Sequence, residues 1–298
     1  MHRDSAEGEL FVKVAEQGHY AGRTEPTDTR QGIYALAPSG RLLASLNTRS
    51  AEEVVAMLDR ARAAWERLPG GERYLPSEQL AAGGGWRWLE RYPEDGLVLR
   101  VHSRDLPRES APDDWRAEAS NRDYAWFLAE EAASFVPHPL EVGAQRVVDE
   151  PLVRRLARLS FVDNVRGQVP VFEPEHVERA RLTCVVTAID GERVALELHG
   201  ECRAVARGTW PISGFDDMHS PTAQERGVAV RCLGRATWDG GARRFSSFEL
   251  VALGERWGAT QYNGRADDRA PTGIGYALVL AGERERVAPS AIWAYGWR

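Results

Sequence analysis

The sequence predicts an α+β protein in which a small α/β unit precedes a C-terminal antiparallel β-domain, curled as a partial barrel or sandwich. Two hairpin patterns in the C-terminal half and one amphipathic helix near the N terminus support this fold class. Within the 298 residues we expect an α/β unit at 1–70, a mixed α/β connecting region at 71–175 and the β-domain at 176–298.

The N-terminal unit begins with residues 8–15, which suit a short strand or a helix. Residues 32–46 are predicted to form a β-hairpin that turns on Pro38-Ser39-Gly40. Proline presets its own φ, and glycine tolerates the positive φ that such a turn needs. A two-stranded sheet is therefore expected before residue 50.

Residues 50–68 are predicted to form an amphipathic helix. Ser50 and Glu53 have the spacing of a capping box, and Pro69 stops the helix at its far end. Apolar residues recur at helical spacing along one face, at Val54, Leu58, Ala61, Trp65 and Leu68.

This order, a hairpin at 32–46 followed by a helix at 50–68, resembles the C-terminal half of a thioredoxin fold over about residues 8–68. Redox members of that family carry a proline after Gly-Ile, where this chain has Tyr34, and no CxxC is present. Thiol–disulfide exchange needs a low-pKa thiolate and a resolving partner, so the resemblance implies a half-domain without redox chemistry. If the native start lies upstream, a CxxC and a signal peptide are expected there, with a secreted or periplasmic location.

The connecting region is predicted to hold one strand and two helices. Residues 97–102 have the β-prone composition of a strand, and Asn121 is placed to cap a helix at 122–135. A second helix is expected at 149–159 with an apolar stripe, which indicates core packing.

The β-domain begins with a hairpin at 182–198 whose Asp190-Gly191 suits a two-residue turn. That turn places Val185 opposite Leu196 and Thr187 opposite Val194. The predicted core face consists of Val185, Thr187, Ile189, Val194, Leu196 and Leu198. The opposite face, with Cys184, Arg193, Glu197 and His199, is expected to meet water or a neighbour.

A second hairpin is predicted from residues 228–238 and 243–253 around Asp239-Gly240-Gly241, followed by a fifth strand at 274–280. The aromatic tail at 288–298 is expected to dock as a strap over a sheet edge or an apolar patch. These strands predict an up-and-down antiparallel sheet.

Charge and cysteine content exclude several classes of protein. A net charge of -6 argues against a dedicated binder of nucleic acid or of anionic membranes. No apolar run is long enough for a membrane span, and a cytoplasmic location is expected. Cys184, Cys202 and Cys232 lie in predicted strands without a CxxC, which predicts buried free thiols rather than a disulfide framework or a zinc site.

The up-and-down order places two long connections, at 207–227 and 254–271, at the same end of the sheet. Aromatic rings beside carboxylates, amides and an arginine suit a sugar-like or other polar ligand. The candidate ligand-binding residues are Trp210, Asp216, Asp217, His219, Trp257, Gln261, Tyr262, Asn263, Arg265, Asp267 and Asp268.

Metal binding and acid–base catalysis are the chemistries that these acids suggest. Asp216, Asp217 and His219 offer metal-ligand types, but adjacent side chains cannot all turn inward, and we expect neither a metal nor a cofactor. Asp267-Asp268 works as an acid–base pair only if burial and repulsion separate the two pKa values. The simpler interpretation is that one of them caps a turn or pairs with Arg265 or Arg269.

The leading hypothesis is a non-catalytic, non-redox protein whose β-domain serves in binding or assembly, with a polar small molecule or a protein as partner. The absence of G-x-S-x-G, H-E-x-x-H, Walker and dinucleotide glycine patterns motivates it. One alternative is a hydrolase-like enzyme with a carboxylate/His site in the loops 207–227 and 254–271. Another is a thioredoxin-like redox protein whose CxxC portion precedes residue 1.

Overall fold

The structure, a computed structural model, describes residues 6–19, 31–48, 50–76, 91–106, 115–213 and 221–297. The chain divides into two compact units, Met1–Trp86 and Arg87–Arg298. The predicted residues Asp216, Asp217 and His219 lie outside the described residues.

The first unit is a hairpin with helices before and after it. Its elements are α1 (Ala6–Gln17), β1 (Ile33–Leu36), β2 (Leu42–Leu46), α2 (Ala51–Arg67) and α3 (Gly70–Arg73). The predicted hairpin and the predicted helix are both confirmed, and residues 8–15 are helical. Ser50 caps α2 by accepting a hydrogen bond from the backbone N–H of Glu53, and α2 packs on the hairpin through Met57 and Ala61.

The second unit is built on one eight-stranded antiparallel sheet. Its strands are β3 (Leu97–Asp105), β4 (Ser120–Phe127), β5 (Gln145–Val147), β6 (Val177–Asp190), β7 (Arg193–Trp210), β8 (Thr222–Asp239), β9 (Arg244–Trp257) and β10 (Thr272–Leu280). Among the described residues, its helices are α4 (Trp115–Glu118), α5 (Ala129–Ala133), α6 (Glu150–Leu159) and two 3₁₀ turns, Pro174–His176 and Ile292–Tyr295. The strand order is β4-β3-β10-β9-β8-β7-β6-β5.

The predicted meander is confirmed, because β6 to β10 are consecutive neighbours in the sheet. Strands β3, β4 and β5, from the region predicted to connect the two domains, extend this sheet on both sides. The predicted helix at 149–159 is α6, which packs on β6 and β7 through Leu152, Val153 and Leu156. The sheet therefore has one apolar face covered by a helix from the same unit.

The helix predicted at 122–135 is wrong, since residues Ser120–Phe127 form β4 and only Ala129–Ala133 are helical. Both faces of β4 are buried. Ala125 and Phe127 enter the main core, whereas Tyr124 and Trp126 enter a second cluster with Ile292 of the tail. Aromatic residues buried on alternate faces favour a strand, so tertiary packing outweighed the local helical spacing.

The predicted register of the first hairpin is also wrong. The turn is formed by Gly191 and Glu192, with Gly191 at a φ of 56°, and Asp190 pairs with Arg193. A bulge at Thr187 then shifts the pairing, so that Val186 lies opposite Leu196. The buried face of β6 therefore consists of Leu182, Cys184 and Val186 rather than Val185, Thr187 and Ile189.

The C-terminal tail covers the outer side of β4, as predicted. Trp297 stacks near Trp126 with ring centroids 6.3 Å apart, and the hydroxyl oxygen of Tyr295 accepts the backbone N–H of Trp126. Arg155 places its guanidinium over the Tyr295 ring and pairs with Glu131 at 2.7 Å. The tail thus shields an edge strand of the sheet.

Candidate functional site

The end of the sheet opposite the tight turns carries the β7–β8 and β9–β10 connections. The β9–β10 connection, residues 258–271, is described throughout, whereas residues 214–220 of the other connection lie outside the described part of the chain. Asp105 ends β3 at the same end, because it pairs with Ile274 near the start of β10. The β9–β10 connection therefore lies beside the end of β3.

A buried cluster of three aspartates and three arginines occupies this end of the sheet. The six residues, Asp105, Asp163, Asp268, Arg166, Arg256 and Arg265, are called the ionic network below. None of their side chains is more than 10% exposed, and their formal charges cancel. Charges buried this deeply persist in proteins only when they are paired and hydrogen-bonded.

Arg265 is at the centre of the ionic network. Its Nη2 donates to Asp105 Oδ1 at 2.6 Å and to Asp163 Oδ1 at 2.7 Å, and its Nη1 lies 3.2 Å from Asp268 Oδ2. Arg166 pairs with Asp105 at 2.6 Å and with Asp268 at 2.9 Å, and Arg256 also pairs with Asp268. The ionic network thereby ties the β9–β10 connection to β3, to β9 and to the segment after α6.

Charges within the ionic network stabilise the ionised forms of Asp105 and Arg265. Burial alone would raise the pKa of Asp105, but the hydrogen bonds and charges of Arg265 and Arg166 hold that pKa below its ordinary value. Burial alone would likewise lower the pKa of Arg265, but Asp105 and Asp163 raise it. Asp105 is therefore an ionised partner of arginine at neutral pH, which makes it a poor proton donor or acceptor there.

The predicted pair Asp267 and Asp268 does not share a site. Asp268 belongs to the ionic network, and its pairing with Arg265 agrees with the simpler interpretation of the sequence. Asp267 is 58% exposed and accepts a hydrogen bond from Arg116 at 2.8 Å. That hydrogen bond lowers the pKa of Asp267. Neither carboxylate is poised to exchange a proton with the other.

A cavity of about 460 Å³ lies between the β9–β10 connection, the segment before β6 and the adjoining parts of β7 and β8. Trp210, Gln261 and Tyr262, all predicted as candidates, line it together with Val169 and Pro170 of the segment before β6. Trp210 is fixed by a hydrogen bond of 2.9 Å from its Nε1 to the carbonyl oxygen of Ala259, and Tyr262 forms a β-bridge with Gln168. The walls are mainly apolar, with a few polar groups among them.

Besides Asp267 and Asp268, three further predicted residues do not line the cavity. Asn263 is buried, and its Oδ1 accepts the backbone N–H of Thr260 at 2.9 Å, so it shapes the connection itself. Arg265 belongs to the ionic network. Trp257 does not line the cavity, because its Nε1 donates to Glu225 and its ring lies under the guanidinium of Arg203.

Arg226 is a lining residue that the sequence analysis did not select. It is 7% exposed, and its Nη2 donates to the carbonyl oxygens of Pro170 and Val171 at 3.0 and 3.1 Å. Its guanidinium carbon lies 4.3 Å from the centroid of the Phe172 ring. The alternation of residues along β8 is a signal that could have identified Arg226, because Arg226 shares the inward face of the strand with Val228 and Val230.

Metal and thiol chemistry have no site in the described part of the chain. Within the described residues, no group of three or more His, Cys, Asp or Glu side chains is placed to hold a metal ion. Cys184, Cys202 and Cys232 are buried and free, as predicted, and burial raises the pKa of Cys184 to about 12. A thiolate is therefore disfavoured at Cys184.

Comparison with known proteins completes the description of the site. Across the described residues, no helix has the length and apolar character needed to cross a membrane. No protein-family model matches the chain, and neither the curated proteins nor the solved structures include one that is detectably similar to it.

Proposed function

We propose that the unit Arg87–Arg298 is a non-catalytic binding protein whose cavity holds a small organic molecule with a mainly apolar body. The observation that carries this proposal is the cavity of about 460 Å³, walled by Trp210, Pro170, Ala206 and Tyr262. Ligand sites in proteins are typically concave, mainly apolar and supplied with a few fixed polar groups. The candidate partner is therefore less polar than the sugar-like ligand expected from the sequence.

Preorganisation supports binding at this cavity. Thr260, Gln261 and Tyr262 line it from the β9–β10 connection, which the ionic network and the Trp210–Ala259 hydrogen bond hold against the sheet. On the other side, Ala206 and Arg226 belong to paired strands. A cavity between two such fixed walls loses little conformational entropy when a ligand enters.

The alternative of a hydrolase-like enzyme has no comparable support. General acid–base catalysis requires a proton-exchanging group within reach of the reacting atoms. In the described part of the chain, Asp267 pairs with Arg116 on the surface and Asp268 pairs with three arginines. These pairings favour binding over hydrolysis as the function that we propose.

For the N-terminal unit, we propose a thioredoxin-like half-domain without redox chemistry. Its helix–strand–strand–helix order supports this resemblance, and residues 1–86 contain no cysteine. The three unbridged, buried cysteines of the second unit support a cytoplasmic location.

Isothermal titration calorimetry with naphthalene-2-carboxamide and naphthalene-2-carboxylate at pH 7 tests the binding proposal. Tyr262 is 54% exposed and lines the cavity, so Tyr262→Ala removes an aromatic wall without opening the core. We expect at least one compound to bind, with a dissociation constant about fivefold higher in that variant. The control is Leu233→Ala, a change on an exposed side chain that does not line the cavity, which should leave binding intact. Binding of neither compound, or equal binding by both variants, contradicts the proposal.

A further inference from the structure

Arg226 differs from the arginines of the ionic network because it is a buried cation without a carboxylate partner. Among the described residues, no Asp or Glu lies within ion-pair distance of its guanidinium, although the side chain is 7% exposed. Asp163 acts on it only through a longer-range charge interaction. A buried charge without a partner is costly in a folded protein and marks a position where a ligand can supply the missing charge.

Two of the three guanidinium nitrogens of Arg226 are available to donate hydrogen bonds. Its Nη2 is engaged by the carbonyl oxygens of Pro170 and Val171, and its planar face rests on the Phe172 ring. Its Nε and Nη1 donate to no acceptor in the described part of the chain. Neither atom is a fully buried nitrogen without a hydrogen-bond partner, so both are in contact with solvent. Because Arg226 lines the cavity, these donors are accessible to a molecule bound in it.

The other charged residues of the cavity have partners of their own. Glu173 lies 3.9 Å from Arg158, and Arg207 pairs with Glu225 at 2.8 Å. The unmatched charge in the cavity is therefore positive and sits on Arg226.

We infer that the natural ligand of the cavity is an organic carboxylate on an apolar body, and that its carboxylate accepts a charge-assisted hydrogen bond from Nε or Nη1 of Arg226. This inference rests on the binding function proposed above. Nε and Nη1 do not share an edge of the guanidinium, so the pairing is a single charge-assisted hydrogen bond, and such bonds are about twice as strong as neutral ones.

The protonation state of Arg226 is compatible with this role. Burial lowers the pKa of Arg226 to about 10, while Asp163 partly opposes the shift. The group therefore remains charged at pH 7. A bound carboxylate would compensate the desolvation of the guanidinium, so the free energy of binding includes relief of this cost.

The matched pair naphthalene-2-carboxylate and naphthalene-2-carboxamide tests the inference in the full chain. The two compounds share their ring system and differ in charge. Titration calorimetry at pH 7 should show that the wild-type protein binds the carboxylate about tenfold more tightly than the amide. Arg226→Met should abolish this preference by weakening only the binding of the carboxylate, and Arg226→Lys, which keeps the charge but not the position of the guanidinium donors, should retain part of it. The control Arg231→Met changes an exposed arginine of the same strand and should leave the preference intact.

The outcomes separate the two proposals. Equal binding of acid and amide by the wild type, or an undiminished preference in Arg226→Met, overturns the inference and leaves the binding function standing. Binding of neither compound overturns both. If Arg226→Met does not fold, the wild-type comparison and Arg226→Lys decide the question, and a full preference in Arg226→Lys contradicts donation from the guanidinium.

Discussion

Arg265 and Arg226 are both buried arginines at the same end of the sheet, yet they have opposite environments. Arg265 donates directly to Asp105 and Asp163, and these partners raise its pKa although burial opposes them. Arg226 has backbone carbonyls and an aromatic ring as neighbours, and burial lowers its pKa to about 10. Carboxylates therefore balance the buried charge of Arg265, whereas no acidic partner offsets the cost of desolvating Arg226.

The difference indicates a division of roles between the two positions. The ionic network joins the β9–β10 connection to strands and to the segment after α6, so its charges are used in holding backbone elements together. Arg226 joins the segment before β6 to β8 through only one of its nitrogens. Stability is expected to depend on the first arginine, and ligand choice on the second.

Replacing Arg265 by methionine is expected to have the largest effect on stability. Arg265→Met leaves Asp105 and Asp163 buried with fewer partners, and breaking a buried pair in this way typically costs about 3–5 kcal/mol. Urea denaturation followed by circular dichroism measures the free energy of unfolding. The matched control Arg235→Met breaks an ion pair with Glu249 in which the arginine is 80% exposed, and it should cost less than about 1 kcal/mol. Equal losses of stability in the two variants would contradict the structural role that we assign to the ionic network.

Acidification tests the ionic network through Asp105, whose folded-state pKa is lowered. A carboxylate with a lowered pKa stabilises the fold fully above its unfolded-state pKa, ordinarily 3.8, and that contribution is lost as the pH falls through the folded-state value. Asp105→Asn should therefore be about 2 kcal/mol less stable than the wild type at pH 7. The gap should close as the pH falls from 3.8 through the lowered folded-state pKa, because first the unfolded and then the folded wild type protonates Asp105.

Asp267→Asn is the control for this experiment, because Asp267 is an exposed member of an arginine pair. Its difference from the wild type at pH 7 should be much smaller, since exposed ion pairs contribute little. A gap between wild type and Asp105→Asn that persists unchanged at pH 2 would mean that the ionised form of Asp105 does not contribute to stability.

The parts of this fold that depend on local signals could be predicted from the sequence. The turn residues and alternating patterns of β6 to β10 led to the correct meander, and hence to the correct end of the sheet for the long connections. The register of β6 could not be predicted, because the bulge at Thr187 and the turn at Gly191 are both set by how β6 packs. Likewise, β4 forms a strand because the core and the tail cover its two faces.

The candidate site was only partly predictable, because its charges are matched over long distances in the sequence. Asp105 and Asp268 are joined through Arg166 and Arg265, and no local pattern relates these positions. Only the contact between Arg265 and Asp268, three residues apart, was visible in the sequence. Arg226 was overlooked because it was predicted to lie in the connection at 207–227, before a strand at 228–238, whereas β8 begins at Thr222. Its inward position follows from the register of β8 with β7.

Replacing Arg226 by methionine is expected to have the smallest effect on stability. Arg226→Met removes two hydrogen bonds to carbonyl oxygens, but it also removes a buried charge without an acidic partner, and these contributions have opposite signs. The free energy of unfolding without ligand should therefore change by less than about 1 kcal/mol, against about 3–5 kcal/mol for Arg265→Met. Urea denaturation at pH 7 measures both variants under the same conditions. If Arg226→Met loses as much stability as Arg265→Met, then Arg226 has the same structural role as Arg265. The burial of its charge would then be explained by the stability of the fold and would no longer indicate a ligand.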